Sequence, residues 1–147
     1  MSEGRPLLSL IIPVYNVRPY LAECLDSAVS QTLKDMEIVI VDDGSTDGCG
    51  QICDSYAACD ERVTVCHTEN KGLAAARNYG LDRICGKYVA FLDSDDWLED
   101  DALQKLLEAI ERHGADIAVC SFANEYDGKT VPSKRIEQET LLDNKQL

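Results

Sequence analysis

The chain has 147 residues, with 14 Lys or Arg against 27 Asp or Glu, giving a formal net charge of −13 with both histidines neutral. That length predicts one main folded domain, and 45% hydrophobic with 28% charged residues is a globular balance, not that of a disordered polyanion or a secreted miniprotein. The acidity excludes the basic footprint that nucleic acid or an anionic membrane would need, while an anionic small molecule stays admissible if a metal ion stands between.

The first predicted element is a strand buried on both faces from Leu7 to Ile12, stopped by Pro13. Leu21, Cys24, Leu25 and Ala28 recur at helical spacing and predict a helix over 20–30. Glu37 to Val41 (EIVIV) reads as a second buried strand ending at DDGSTDG, and Asp47 is placed to cap a helix running to Cys59. A shorter strand, Arg62 to His67, precedes a turn at Asn70 and Gly72 and a helix over 73–83. Tyr88 to Leu92 is the fourth strand, followed at once by DSDD. A helix over 101–112 and a fifth strand, Asp116 to Ser121, complete the alternation.

This alternation predicts an α/β fold: a mostly parallel sheet with helices on both faces, its chemistry at the carboxyl ends of the strands. PVYN, DDGSTD, HTEN and DSDD all fall at those ends. Beyond Phe122 a polar hairpin is expected over 125–130, around Asp127 and Gly128. LLDNKQL closes the chain as a continuing helix would if cut.

The seven cysteines (Cys24, Cys49, Cys53, Cys59, Cys66, Cys85, Cys120) are an odd set with no CxxC pair. They read as reduced thiols, mostly in the core, of a cytoplasmic protein. No apolar run approaches the ~20 residues that span a bilayer, so any membrane association is expected to come from partners or from sequence outside this chain.

Four groups of residues could carry chemistry. Asp93, Asp95 and Asp96 crowd three carboxylates into four positions, which a fold tolerates most easily when a cation or a hydrogen-bond network neutralises them. Oxygen ligands suit Mg²⁺ or Mn²⁺, which enter with one or two protein carboxylates and take phosphate oxygens for the rest. An EF-hand is excluded, because Leu98 stands where the loop requires Gly. The competing reading, acids dressing a helix N-terminus, suits Asp96, Glu99, Asp100 and Asp101 better than Asp93 and Asp95.

Asp42 and Asp43 could accept hydrogen bonds from a base N–H or a ribose hydroxyl beside Gly44, or simply form a turn into the next helix. Tyr15 could stack on a planar base above Pro13, or pack at a strand end. Arg77 could reach a diphosphate or pair with one of the many carboxylates. His67 and His113 read as structural or surface residues. The dinucleotide-binding fingerprint, the GxxxxGK[ST] phosphate loop and the GxSxG elbow are all absent.

Taken together and in order, LSLIIPVYNVRPYLAECLDSAVSQTL, EIVIVDDGSTDG, HTENKGLAAARNYGL and GKYVAFLDSDDWLEDDAL resemble the nucleotide-sugar-binding half of the inverting family 2 glycosyltransferases, over about Leu8 to Ser121. The resemblance implies a GT-A fold, a three-layer α/β/α sandwich that is truncated here. It makes residues 1–121 a donor-binding domain and 122–147 the incomplete start of an acceptor-side region.

It also implies that Pro13 and Tyr15 lie near the base and that Asp43 recognises the uracil of a UDP-linked sugar. Asp93 and Asp95 match the acids of the DxD motif. Asp93 would then touch ribose or sugar, Asp95 would ligate Mn²⁺ or Mg²⁺ through the diphosphate, and Arg77 would contact the donor. The family's general base, an Asp commonly within an ED pair, has no match here. Glu125, Asp127, Glu137, Glu139 and Asp143 lack its surroundings, so none is assigned.

The implied acceptor is a saccharide or another hydroxyl compound, with polysaccharide and cell-envelope synthesis the implied setting. Self-association through exposed apolar surface is a further expectation. The alternatives are a non-catalytic nucleotide-binding or interaction module and, less favoured, a metal-dependent nucleotidyltransferase.

Overall fold

The computed structural model describes residues 4–133, which fall into two compact units divided between Asp101 and Ala102.

The first unit is a four-stranded, wholly parallel sheet in the order β3-β2-β1-β4. Its strands are β1 (Leu8–Val14), β2 (Met36–Asp42), β3 (Val63–His67) and β4 (Tyr88–Phe91), connected by α1 (Arg18–Val29), α2 (Cys49–Cys59) and α3 (Leu73–Leu81). β1 is buried at every position and β2 at all but Glu37, as expected for central parallel strands covered on both faces. Leu10, Ile11, Ile12, Ile38 and Ile40 are wholly inaccessible, each worth about 1.5–3 kcal/mol of transfer free energy.

Strand parity separates the two helical layers. Val39 and Val41 pack with Ala76 of α3, and Gly80 brings α3 onto Ile11 of the same face. On the opposite face, Gly50 of α2 lies against Asp42, and α1 packs beside α2. The result is the expected α/β/α sandwich. Close approach by α3 comes from Ala76 and Gly80, whereas Ala74 faces solvent.

Pro13 does not stop the first strand, which continues to Val14 in register with Asp42. Leu92 donates to the carbonyl of Ile11, and alternate residues of a parallel strand bond the same neighbour. Pro13 therefore turns its missing donor toward β4, whose pairing has already ended at Phe91. No ladder bond is lost.

The second unit contains α4 (Ala102–His113) and a hairpin of β5 (Ala123–Tyr126) and β6 (Lys129–Pro132). The hairpin turns on Asp127 (φ 46°) and Gly128 (φ 75°), the double positive φ that a two-residue Asp-Gly turn requires. Arg112 and His113 place basic groups in the last turn of α4, where they suit the helix dipole.

The fifth strand is not formed. Residues 116–121 are irregular, with Ile117 and Val119 67% and 68% exposed. An apolar run makes a strand only where a neighbour supplies hydrogen bonds, and no described strand pairs with this segment. The LLDNKQL segment, with Glu137, Glu139 and Asp143, lies outside the described residues. Among those described, no helix is long and apolar enough to cross a membrane.

Candidate functional site at the carboxyl edge of the sheet

With four parallel strands, the loops after Val14, Asp42, His67 and Phe91 emerge along one edge. This edge gathers PVYN, DDGSTDG, HTENKG and DSDD. The first two loops are bound to each other. Asn16, in the left-handed region at φ 50°, accepts from the Thr46 N–H at 2.8 Å, while its own N–H donates to Ser45 Oγ at 3.2 Å. Asn tolerates that conformation better than most residues.

Asp47 accepts from the N–H of Arg18 at 3.0 Å and of Cys49 at 3.1 Å, so one carboxylate serves the first turns of both α1 and α2. Gly48 stands at the cap position itself, at φ 95°. Asp47 acts from the position before it, and a bond with Cys49 holds its carboxyl below the ordinary aspartate value.

Asp42 and Asp43 have separate tasks. Asp42 is buried. One of its oxygens accepts from the Ser45 N–H at 3.0 Å and the other meets His67 Nδ1 at 2.9 Å, so Asp42 fulfils the turn-forming reading. Asp43 is 3% exposed and holds the loop after β3. It accepts from the N–H of Lys71 at 2.9 Å, the N–H of Gly72 at 2.8 Å and the Thr68 hydroxyl at 3.3 Å. A carboxylate offers about four acceptor directions, and these donors take three of them.

Gly44 permits close approach as expected, and the backbone that approaches is the chain's own. A Cβ there would stand 2.8 Å from Asn70 N. Gly72, at φ 91° and ψ 166°, supplies the turn into α3 in a region only glycine enters readily. Tyr15 is 49% exposed at the end of β1, beyond the buried Pro13.

At the end of β4 the Arg77 guanidinium donates to Asp93 at 2.6 Å and lies 5.8 Å from the Phe91 ring centroid. Its Nε is buried without a hydrogen-bond partner, a donor held back from water beside the acidic run. Asp95 and Asp96 are exposed. Burial, then the charges of Asp95 and Asp93, raise the Asp96 carboxyl above its usual range. Beneath them Cys24 donates to the Asp93 carbonyl at 3.7 Å. Burial and the same acids push that thiol up to about 12, so it stays neutral.

Asp93, Asp95 and Asp96 do not reach a helix N-terminus, whereas Asp101 directly precedes one. α4 begins only at Ala102 and has no acid in its first turn. The intervening loop is instead tied to α1 and the turn after it. Ser27 Oγ accepts from the Leu98 N–H at 3.1 Å, Gln31 Nε2 donates to Glu99 O at 2.7 Å and the Thr32 N–H donates to Asp100 O at 2.8 Å.

Mutually repelling hard oxygen donors of this kind fit a divalent magnesium- or manganese-type ion. Among the described residues no three His, Cys, Asp or Glu side chains converge into a ligand set. An ion held at Asp95 would therefore complete its shell from substrate oxygens and water. Glu125 is engaged within its hairpin, accepting from Thr130 Oγ1 at 3.3 Å.

The parallel sheet covered by helices on both faces, with its acid-rich loops at one edge, has the architecture of the GT-A fold. Residues 9–146 match the profile of Glycosyl transferase family 2, and the chain belongs to that family. It is 49% identical over 123 residues to glycosyltransferase GlyA of Streptococcus pneumoniae, covering 82% of this chain and 18% of that protein.

Solved structures with the same fold include two that carry nucleotide sugars. S. aureus TarS in complex with UDP-GlcNAc has a TM-score of 0.71 and 29% identity, over 89% of this chain and 38% of TarS. The mannosyltransferase PcManGT of Pyrobaculum calidifontis, in complex with GDP-Man and Mn²⁺, has a TM-score of 0.65 and 28% identity over 78% of this chain and 34% of that one. The chain thus spans less than half the length of each.

Proposed function

We propose that this chain is the donor-binding portion of an inverting glycosyltransferase that takes a UDP-linked sugar with the help of Mn²⁺ or Mg²⁺. The observation that carries the reading is the placement of Asp43 after β2 and of Asp93, held by Arg77, after β4, with the end of β1 between them. Support comes from UDP-GlcNAc bound to TarS and from GDP-Man with Mn²⁺ bound to PcManGT.

In this reading Tyr15 stacks on the base above Pro13, and Asp43 accepts from a base N–H. Asp93 contacts ribose or sugar and Asp95 ligates the ion. Such an ion supplies Lewis-acid neutralisation of the departing diphosphate. Arg77 exchanges Asp93 for phosphate oxygens, a partner its fork matches equally well. Inversion needs a base that deprotonates the acceptor hydroxyl from the face opposite the nucleotide. No residue of this chain is assigned that task. The acceptor is a saccharide or other hydroxyl compound, as in cell-envelope polysaccharide synthesis.

Calorimetric titration of uridine diphosphate into the protein, first with Mn²⁺ and then with chelator, tests the proposal. Saturable binding that disappears with the metal is expected. No binding in either condition would overturn it.

A further inference from the structure

His67 ends β3 with both ring nitrogens engaged: Nδ1 lies 2.9 Å from Asp42 Oδ2 and Nε2 lies 3.0 Å from Asp54 Oδ1. The two carboxylates sit on different elements, Asp42 at the end of β2 and Asp54 on α2. The Asp42 side chain is 7% exposed, against 49% for His67 and 60% for Asp54. A neutral imidazole can donate through only one nitrogen, so satisfying both acceptors requires the imidazolium. Gly50 brings the α2 backbone close to this bridge, since a Cβ there would stand 2.9 Å from Asp42 Oδ2 and 3.4 Å from His67 Cε1.

The next residue begins the loop that closes on Asp43. The Thr68 N–H donates to Asp42 O at 2.9 Å, its hydroxyl reaches Asp43, and Lys71 and Gly72 complete the ring around that carboxylate.

We propose that His67 is a positioning residue for the nucleoside end of the site: charged and bridged between Asp42 and Asp54, it fixes where the 68–72 loop leaves the sheet and so sets Asp43. Its bearing on nucleotide binding rests on the reading of Asp43 as the base-contacting residue. The loop clamp itself does not.

The groups facing the imidazole are Asp42 from β2 and Asp54 from α2. Cys53, buried on α2 within the field of both acids, is pushed up to about 12 by burial first and stays neutral. The bond with Asp42, then that with Asp54, raises His67 above its ordinary value. The clamp is therefore complete below the ordinary histidine pKa and is lost as pH rises through the raised one.

The test follows amide hydrogen-exchange protection at Lys71 and Gly72 in the full chain across about pH 5.5–8.5, for wild type, His67→Gln and Asp54→Asn. Wild-type protection should fall at these two amides as His67 loses its proton, with β1 and β2 amides unaffected. His67→Gln should remove the pH dependence and lower protection about tenfold, the order expected when a charge-assisted hydrogen bond is lost. Asp54→Asn, at an exposed position, should move the midpoint about one pH unit lower.

Protection that ignores pH and both substitutions would overturn the clamp. Uridine diphosphate affinity, measured on the same samples, should follow the same profile. If the amides respond but the nucleotide binds at no pH, the donor-site reading fails and the clamp stands. If the nucleotide binds equally to all three proteins at every pH, the link to binding is overturned and the donor site stands.

Discussion

Arg77 of α3 and Asp93, two residues past β4, are joined at 2.6 Å, so the helix packed on one face of the sheet holds the first acid of the DSDD run. With 35% and 48% of the two side chains exposed, the pair is worth about 0–1 kcal/mol of stability. Replacing Arg77 by Ala should leave the urea midpoint nearly unchanged while weakening binding of uridine diphosphate. Arg77→Lys should recover only part of the affinity, because a point charge cannot reproduce the fork. A large loss of stability, measured by denaturant unfolding, would contradict this.

Asp95 is exposed, and no protein hydrogen bond is formed by its carboxylate among the contacts described. Asp95→Ala should therefore preserve the circular dichroism spectrum and thermal midpoint but abolish manganese-dependent nucleotide binding in calorimetry. Unchanged metal-dependent affinity would remove Asp95 from the metal site.

Gly44 combines φ 76° with an Asn70 backbone nitrogen 2.8 Å from any added Cβ. Gly44→Ala should cost about 1–2 kcal/mol for the left-handed backbone alone, and more for the displaced loop. Urea unfolding gives the total, and exchange at Lys71 and Gly72 should show the loop loosened.

Gly80→Ala sets two effects against each other. The substitution gains about 1 kcal/mol of helix propensity, but the new Cβ would sit 2.7 Å from Ile11 Cγ2, and overpacking of this kind costs about 1–3 kcal/mol. Net destabilisation is expected. Combining it with Ile11→Ala should cost less than the sum of the two single changes, a non-additivity a double-mutant cycle can read.

Glu37 gives an acid dependence. Burial opposes its charge, yet donors from the Cys85 N–H, the Ser9 hydroxyl and the Gly86 N–H outweigh it and hold the carboxyl below its ordinary value. A depressed carboxyl stabilises the fold above its unfolded pKa, and that contribution is lost as pH falls through the folded one. Glu37→Gln should lower stability at neutral pH and flatten the acid limb of a stability–pH curve.

The sheet was legible because 8–12 and 37–41 are apolar on both faces apart from Ser9 and Glu37, while 21–28 repeats at helical spacing. Those two periods together require covered parallel strands with site loops at one edge. The partners of the loop residues were not legible. Asp43 reaches Lys71 and Gly72, 28 and 29 positions away, and no local pattern distinguishes that from a free carboxylate.

Asn16 was not singled out, and His67, read as structural or surface, is structural through its bridge between Asp42 and Asp54. The only available signals were an asparagine just past a strand end, where a left-handed turn is cheap, and a histidine one strand away from an Asp pair. The apolar segment after Asp116 has no strand partner among the described residues, and a strand is a property of two segments. Asp93 was legible as part of an acidic run, but its pairing with Arg77 depended on how α3 crosses the sheet.

The β1–β4 ladder ends at Ile11 while the β1–β2 ladder continues to Val14, three residues or about 10 Å further. The rim of the sheet is therefore a terrace, high beside β2 and low beside β4, with the donorless Pro13 on its riser. In the proposed function, a molecule that touched both Asp43 and Asp93 would have to bridge the two levels of this rim.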